Sequence, residues 1–324
     1  IMPCEILEYR WNLGWNLDQL LNDNSFNNLI NTTFPLVIST FSGMHNNSHT
    51  KGCTDFFNKR KRGRPSDLRN QSEDSVVSYV SKTLNLSGIV VRVSAECASS
   101  LYSFYLASLI SKENNTPVIV FCGDNKTSDY DHWYFNSFGA LDNVVGLPFD
   151  NSSKGFKMGT GSTLFLVKHP SVKSNIEAKA VVEKFHFYTN ANHATSPGSI
   201  DDIIKNLSNI NYKHIELWNA HATGTPVGDN AEYEFFSKVI QHDIPIVGYK
   251  GYVGHCLGAA GGIEIIYSLE DKAMNKLRPN IIKTATIVKD DRIITEPTSF
   301  SYRKMLKISM GFGGKTSVGE ILLL

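Results

Sequence analysis

The 324 residues predict an α/β protein of stacked layers, built from two similar halves. Three observations carry that prediction. Short β-branched apolar runs alternate with amphipathic stretches along the chain, and the whole cycle occurs twice. One run, Val118-Ile119-Val120-Phe121-Cys122, is apolar at every position, as a strand covered on both faces must be. The length is sufficient for one large duplicated domain, and a composition of 41% apolar and 19% charged residues is that of an ordinary globular chain.

Glu5 to Tyr9 reads as a strand, leading through Asn12-Leu13-Gly14 to a helix over Asn16 to Leu21. A polar stretch from Asn22 to Thr33 precedes a strand at Pro35 to Ile38. Phe41 to Asp67 is polar and aperiodic, carries Lys59-Arg60-Lys61-Arg62-Gly63-Arg64-Pro65, and reads as a loop. Ser75 to Val80 has helical spacing. Ile89-Val90-Val91 forms a strand leading to Cys97, and Leu101, Phe104, Tyr105 and Leu109 mark one face of the following helix. Strands follow at Val118 to Cys122 and Thr163 to Val167. The second cycle opens at Ala178 to Phe187. It continues through a helix (Ile200 to Leu207), a strand (His214 to Trp218), a helix (Asn230 to Ile240), a strand (Pro245 to Gly248) and a helix (Leu257 to Leu269). Lys307 to Met310 and Thr316 to Leu323 close it. The halves, residues 1–175 and 176–324, meet without a linker-like composition, so one compact duplicated domain is expected.

Net charge is +1, which gives no general attraction to nucleic acid or anionic membrane. Arg62-Gly63-Arg64-Pro65 is a lone basic run in a neutral protein and reads as a solvated loop, not a DNA contact. No apolar run is long enough to span a bilayer, and the start lacks a secretion pattern, so a cytoplasmic location is expected. The five cysteines, Cys4, Cys53, Cys97, Cys122 and Cys256, are scattered and suit neither a disulfide framework nor a metal site. Cys122, inside an apolar run, reads as a small buried hydrophobe.

Cys97 is different. It sits where a strand turns into a helix, a place where unpaired amides lower a thiol from its free value of about 8.5. Two histidines lie in glycine-rich turns downstream: His221 in Asn219-Ala220-His221-Ala222-Thr223-Gly224-Thr225-Pro226-Val227-Gly228-Asp229, and His255 in Lys250-Gly251-Tyr252-Val253-Gly254-His255-Cys256-Leu257-Gly258-Ala259-Ala260-Gly261. One thiol and two imidazoles supply a nucleophile with two proton or hydrogen-bond partners. His255 precedes a helix, whose N-terminal field favours a neutral ring. The remaining histidines read as solvated or structural.

Five segments in order resemble the β-ketoacyl-acyl-carrier-protein synthases. They are Ala95-Glu96-Cys97-Ala98-Ser99-Ser100, Pro148-Phe149-Asp150 with Gly155-Phe156, His221 to Asp229, Lys250 to Gly261, and Gly311-Phe312-Gly313-Gly314. Leu13-Gly14-Trp15-Asn16 is similar to the family's first loop, and the second histidine marks the condensing type. The resemblance implies a thiolase-like αβαβα fold with a shortened N-terminal half, and acyltransferase chemistry on Cys97 followed by decarboxylative condensation with malonyl carrier protein. It implies donors to the enolate oxygen from His221 and His255, and an oxyanion site and gate at Gly311, Phe312 and Gly313. It further implies pantetheine contacts at Thr223 and Thr225, and an orienting, non-basic role for Lys250 near His255. No bound cofactor is implied, since the substrates ride on the phosphopantetheine of an acyl carrier protein. Lys59, Arg60, Lys61 and Arg62 are expected to dock that acidic carrier.

The chain departs from the family pattern. Thr160 replaces an acidic residue, which leaves Lys250 without its expected carboxylate, and Ile308 and Met310 flank Ser309 in place of Asn and Phe. The short stretch between Leu20 and Leu36 is expected to uncover apolar surface for a partner subunit. A dimer is expected, with a related subunit or with a second copy, through the strand Val118 to Cys122. The pathway expected is a specialised polyketide, polyene or fatty-acid-like one. The alternative is a non-catalytic, chain-length-factor type of subunit, against which the intact Cys97, His221 and His255 argue.

Overall fold

A computed structural model describes residues 2–13, 16–40, 74–124, 129–190 and 199–324. The basic run at Lys59 to Arg62 lies outside the described residues. So do Gly14 and Trp15.

The first half contributes β1 (Cys4–Leu13), β2 (Leu36–Ser39), β3 (Val90–Val93), β4 (Val118–Asp124) and β5 (Gly161–Lys168). The second contributes β6 (Ala180–Thr189), β7 (Leu217–Asn219), β8 (Ile246–Val247), then β9 (Lys276–Leu277) and β10 (Thr298–Ser299) as a separate small sheet, and finally β11 (Lys304–Gly311) and β12 (Lys315–Leu323). The ten main strands run in the order β3-β2-β4-β5-β1-β6-β12-β11-β7-β8. Read outward from the β1–β6 junction, the two halves share one strand order, so the duplication expected from the sequence is present in the topology.

Helices fill three layers around these half-sheets. On the outside of the first half lie α1 (Leu17–Leu21), α2 (Asn24–Asn27) and α3 (Asp74–Thr83). Between the half-sheets run α4 (Ser99–Asn114) and, after α5 (Asp129–Ser137), α6 (Ile200–Asn206), α7 (Pro226–Val239) and α8 (Lys250–Val253), the helix α9 (Ala260–Met274). α6 and α7 cover the second half. Three apolar clusters match this layering. Phe26, Val76 and Val80 close over Leu36 and Leu164; Leu101, Phe104, Ile263 and Ile266 fill the centre; Phe235 and Phe236 pack on Trp218 and Leu306.

Two small-residue contacts set how closely the central helices approach. A Cβ on Gly261 would stand 3.0 Å from Ser100 Cβ, and Ser100 Oγ donates to the Gly258 carbonyl at 2.6 Å. α4 ends where Asn115 takes a left-handed conformation and its N–H returns to Ser111.

Several expectations are corrected. β4 is not free to pair across a dimer, because β2 and β5 occupy both its edges. Among the described residues β3 pairs with β2 alone and ends the sheet on the first-half side, and Ile89 and Val90 are exposed there. The apolar face expected to be bare after Leu20 is closed by α1, α2 and α3, with Phe26 fully buried inside a stretch that read as polar. The helix after the His221 turn starts at Pro226, not Asn230, because proline's fixed φ suits the first helical position. His214 lies in a 3-10 turn before β7. Among the described residues no helix is long and apolar enough to cross a membrane.

Candidate active site

Three chain segments deliver Cys97, His221 and His255 to one place. Cys97 follows β3 at the head of α4, His221 follows β7, and His255 follows α8. A non-glycine residue with positive φ stands at or near each one: Glu96 (φ 55) before Cys97, Ala222 (φ 23) after His221, and Leu257 (φ 48) two beyond His255. Such conformations cost about 1–3 kcal/mol each and persist only where surrounding contacts over-determine them.

Those contacts are present. Ser99 Oγ accepts from the Ala95 amide at 2.8 Å and donates to the Glu96 carbonyl at 2.6 Å, which ties the turn around Cys97. Glu232 accepts from the amides of His221 and Ala222, both at 2.7 Å, and Asp229 from those of Thr223 and Gly224. The His255 amide donates to the Lys157 carbonyl at 2.7 Å, and Gly159 N–H donates to the His255 carbonyl at 2.9 Å.

His255 Nε2 lies 3.1 Å from Cys97 Sγ, and the two imidazole rings are 5.5 Å apart, nearly perpendicular. Burial pushes the Cys97 thiol up to about 12; Lys250 opposes the shift, and Glu96 and Asp124 add to it. This corrects the expectation of a lowered thiol. α4 begins two residues after Cys97, and desolvation outweighs the field at its N-terminus. Cys97 therefore rests as a thiol, beside an imidazole nitrogen positioned to accept its proton. Both rings are held well below the ordinary histidine value, first by burial and then by Lys250. His255 is neutral as expected, with burial rather than a helix end as the main cause.

Lys250 sits beside His221, not His255. Its ammonium donates to the His221 carbonyl and lies 3.4 Å from His221 Nδ1. An ammonium on Nδ1 leaves the ring proton on Nε2. Nor is Lys250 without a carboxylate: Glu264 on α9 pairs with it at 2.5 Å, so the change at Thr160 removes nothing from this pair. The same carboxylate meets Lys307 at 2.6 Å. Glu232, Glu264 and Lys307 escaped the sequence reading. A lone glutamate in the apolar run Gly262-Ile263-Glu264-Ile265-Ile266 and a lone lysine between Leu306 and Ile308 were the available signals.

A cavity of about 380 Å³ joins these groups. Cys97, His221, His255, Thr223, Thr225 and Phe312 all line it. The two threonine hydroxyls are 2.8 Å apart. Phe312 stacks on Phe135 at 5.8 Å, and Met310 also faces the cavity. Gly311 backs onto the nucleophile turn, where a Cβ would be 3.3 Å from the Cys97 amide nitrogen, and Gly313 takes φ 72. Lys154 and the exposed Phe138 and Val227, which also line it, were not anticipated.

Residues 18–172 match the family described as Beta-ketoacyl synthase, N-terminal domain, and residues 175–281 match Beta-ketoacyl synthase, C-terminal domain. The chain belongs to the β-ketoacyl synthase family. It is 28% identical to the chloroplastic 3-oxoacyl-(acyl-carrier-protein) synthase I of Arabidopsis thaliana over 255 residues, covering 72% of this chain and 54% of that protein. It is 29% identical to 3-oxoacyl-(acyl-carrier-protein) synthase 2 of Mycobacterium leprae over 187 residues, 53% of this chain and 44% of that one. The chain thus spans about half the length of the curated relatives it matches. A β-ketoacyl synthase from Burkholderia phymatum superimposes with a TM-score of 0.79 at 18% identity, over 94% of this chain and 78% of that one. The ishigamide ketosynthase/chain length factor gives 0.76 at 20%, over 92% and 77%. These likenesses show the thiolase-like fold.

Proposed function

We propose that this β-ketoacyl synthase catalyses carbon–carbon bond formation between two carrier-bound thioesters. The convergence of a histidine-paired Cys97, a second neutral histidine and a cavity reaching both carries this reading. In the first stage Cys97 gives its proton to His255 Nε2 as sulfur attacks an acyl thioester. The carbonyl oxygen becomes an oxyanion, met by backbone N–H groups of Cys97 and the Phe312 turn. The tetrahedral adduct expels the pantetheine thiolate, which takes the proton back and leaves as a thiol.

In the second stage a malonyl thioester occupies the cavity with its pantetheine arm along Thr223 and Thr225. Its carboxylate leaves as carbon dioxide, and the bonding electron pair becomes an enolate. His221 donates a hydrogen bond to the enolate oxygen, and His255 does the same in the tautomer that carries its single proton on Nε2, which is open to it once acylation has removed the Cys97 thiol proton. The enolate carbon attacks the acyl–Cys97 carbonyl, the carbon–sulfur bond breaks, and the Cys97 thiolate that leaves takes one proton from solvent through His255. The β-ketoacyl product leaves on its carrier.

The partners that fit are an acyl carrier protein and a second synthase-like chain, paired along β3, which ends the sheet among the described residues. Docking of the carrier at Lys59 to Arg62 remains part of the proposal. Intact-mass measurement after incubation with an acyl carrier thioester tests the whole reading. Wild-type protein should gain one acyl mass and Cys97→Ala none. With His221→Ala the adduct should form and then fail to condense with the malonyl carrier. An acyl adduct on the Cys97→Ala protein would falsify the assignment, and a wild-type chain that never loads would favour the non-catalytic subunit.

A further inference from the structure

Lys307 lies in the middle of a core strand between Leu306 and Ile308, and its side chain is wholly buried. A lysine is kept in such a place only when its charge is fully compensated, because an unpaired buried ammonium is costly. Its Nζ is 2.6 Å from Glu264 Oε2, while Lys250 holds Glu264 Oε1 at 2.5 Å. One carboxylate is therefore shared by two buried cations. The Lys307 ammonium also donates to the carbonyls of Ala220 at 3.2 Å and Ile308 at 2.7 Å. Lys250 donates to the carbonyl of His221, the very next residue. Two consecutive carbonyls of the His221 turn are each taken by a lysine, and the amides of 221 to 224 by Glu232 and Asp229. The strained turn at Ala222 is clamped on both sides by charge.

We propose that Lys307 is a positioning residue for condensation: it fixes Glu264 and the Ala220 carbonyl so that Lys250 and the His221 ring keep their aim. This rests on the condensing reading above. The charged and titratable groups facing Lys307 are Glu264 on α9, Lys250 on α8, Glu232 on α7, and the two catalytic rings. Burial pushes the Lys307 ammonium down to about 8, with Glu264 and Glu232 acting against the shift and Lys250 with it. The sign follows. Below that pH Lys307 is charged and Glu264 is held from both sides. Above it the proton leaves, Glu264 answers to Lys250 alone, and the rings lose a repelling cation.

Lys307→Met removes the charge at every pH while keeping the length of the side chain, and Glu264 retains Lys250, so the fold is expected to survive. Loading of Cys97, read by intact mass, should persist. The condensation kcat should fall on the order of 10–100-fold with KM little changed, as for a reacting group displaced by a fraction of an ångström. The acid limb of the pH–rate profile should move to higher pH, and the alkaline limb near pH 8 should vanish. A profile of wild-type shape, scaled down or not, would mean a merely structural lysine and overturn the proposal. NMR of isotope-labelled histidine in the wild-type protein supplies the measurement that needs neither turnover nor the variant. The His221 ring signals should move with an inflection near pH 8; flat signals across that range would overturn the proposal even if condensation proceeds, and an inflection supports it even if condensation is never seen.

Discussion

Cys97 illustrates how one residue's neighbours set its reactivity. Its position at the head of α4 suggested an activated thiolate, yet burial dominates and the thiol is pushed up to about 12. The consequence is measurable. Alkylation of Cys97 by iodoacetamide should rise about tenfold per pH unit from about pH 7 to about pH 9.5, because the thiolate fraction grows in that proportion below the pKa. Peptide mass mapping gives the rate, and a plateau near neutrality would contradict a buried, unactivated thiol. Glu264 is the second case. Removing it as Glu264→Ala leaves the ammoniums of Lys250 and Lys307 buried with no shared anion. Stripping one partner from a buried ionic set costs about 3–5 kcal/mol, so denaturant unfolding should show a loss of that order. A loss under about 1 kcal/mol would mean that water or relaxation reaches the site.

At the scale of elements, the junction between β11 and β12 shapes the wall behind the nucleophile. Gly311 and Gly313 are two residues apart and differ in what they tolerate. A Cβ on Gly311 would meet Glu96 Cβ at 2.9 Å and the Ala95 carbonyl at 3.1 Å, both on the turn that carries Cys97. Gly311→Ala should therefore displace the nucleophile and slow loading on the order of 100-fold. Gly313 has φ 72 but open space around it, with only Lys315 Nζ at 3.9 Å. Gly313→Ala should cost about 1–2 kcal/mol of backbone strain and leave the loading rate within a few-fold of wild type. Stopped-flow loading with the two variants side by side separates these effects, and equal losses would remove the distinction. These elements were largely legible beforehand, since β-branched runs, a proline at a helix start and glycine turns are local signals. α2 was missed because its four residues carry one apolar side chain, Phe26, too few to show a period.

At the scale of the whole molecule, strand order decides the assembly. β4 is fully buried and paired on both sides, whereas among the described residues β3 pairs on one side only, with Ile89 54% and Val90 37% exposed. An exposed apolar edge invites pairing with another chain. If β3 is the dimer seam, Ile89→Lys combined with Val90→Lys should yield a monomer by light scattering at micromolar concentration while wild type is dimeric. A persistent dimer in the double variant would place the seam elsewhere.

The sequence by itself determined the two-cycle α/β architecture and brought Cys97, His221 and His255 forward as a set. Those features rest on short-range patterns: side-chain periodicity, turn residues, and motif order along the chain. Only the tertiary structure decided which strand is an edge, that Phe26 closes the outer face, and that Glu264 answers both Lys250 and Lys307. Those facts depend on residues far apart in sequence, Lys307 standing 43 positions after its partner Glu264 and β4 about 80 after its neighbour β2. The reversed thiol shift has the same origin. A helix end can be read from neighbouring residues, but the desolvation that outweighs it arises only when distant segments, those carrying His255 and Gly311 among them, have closed on Cys97.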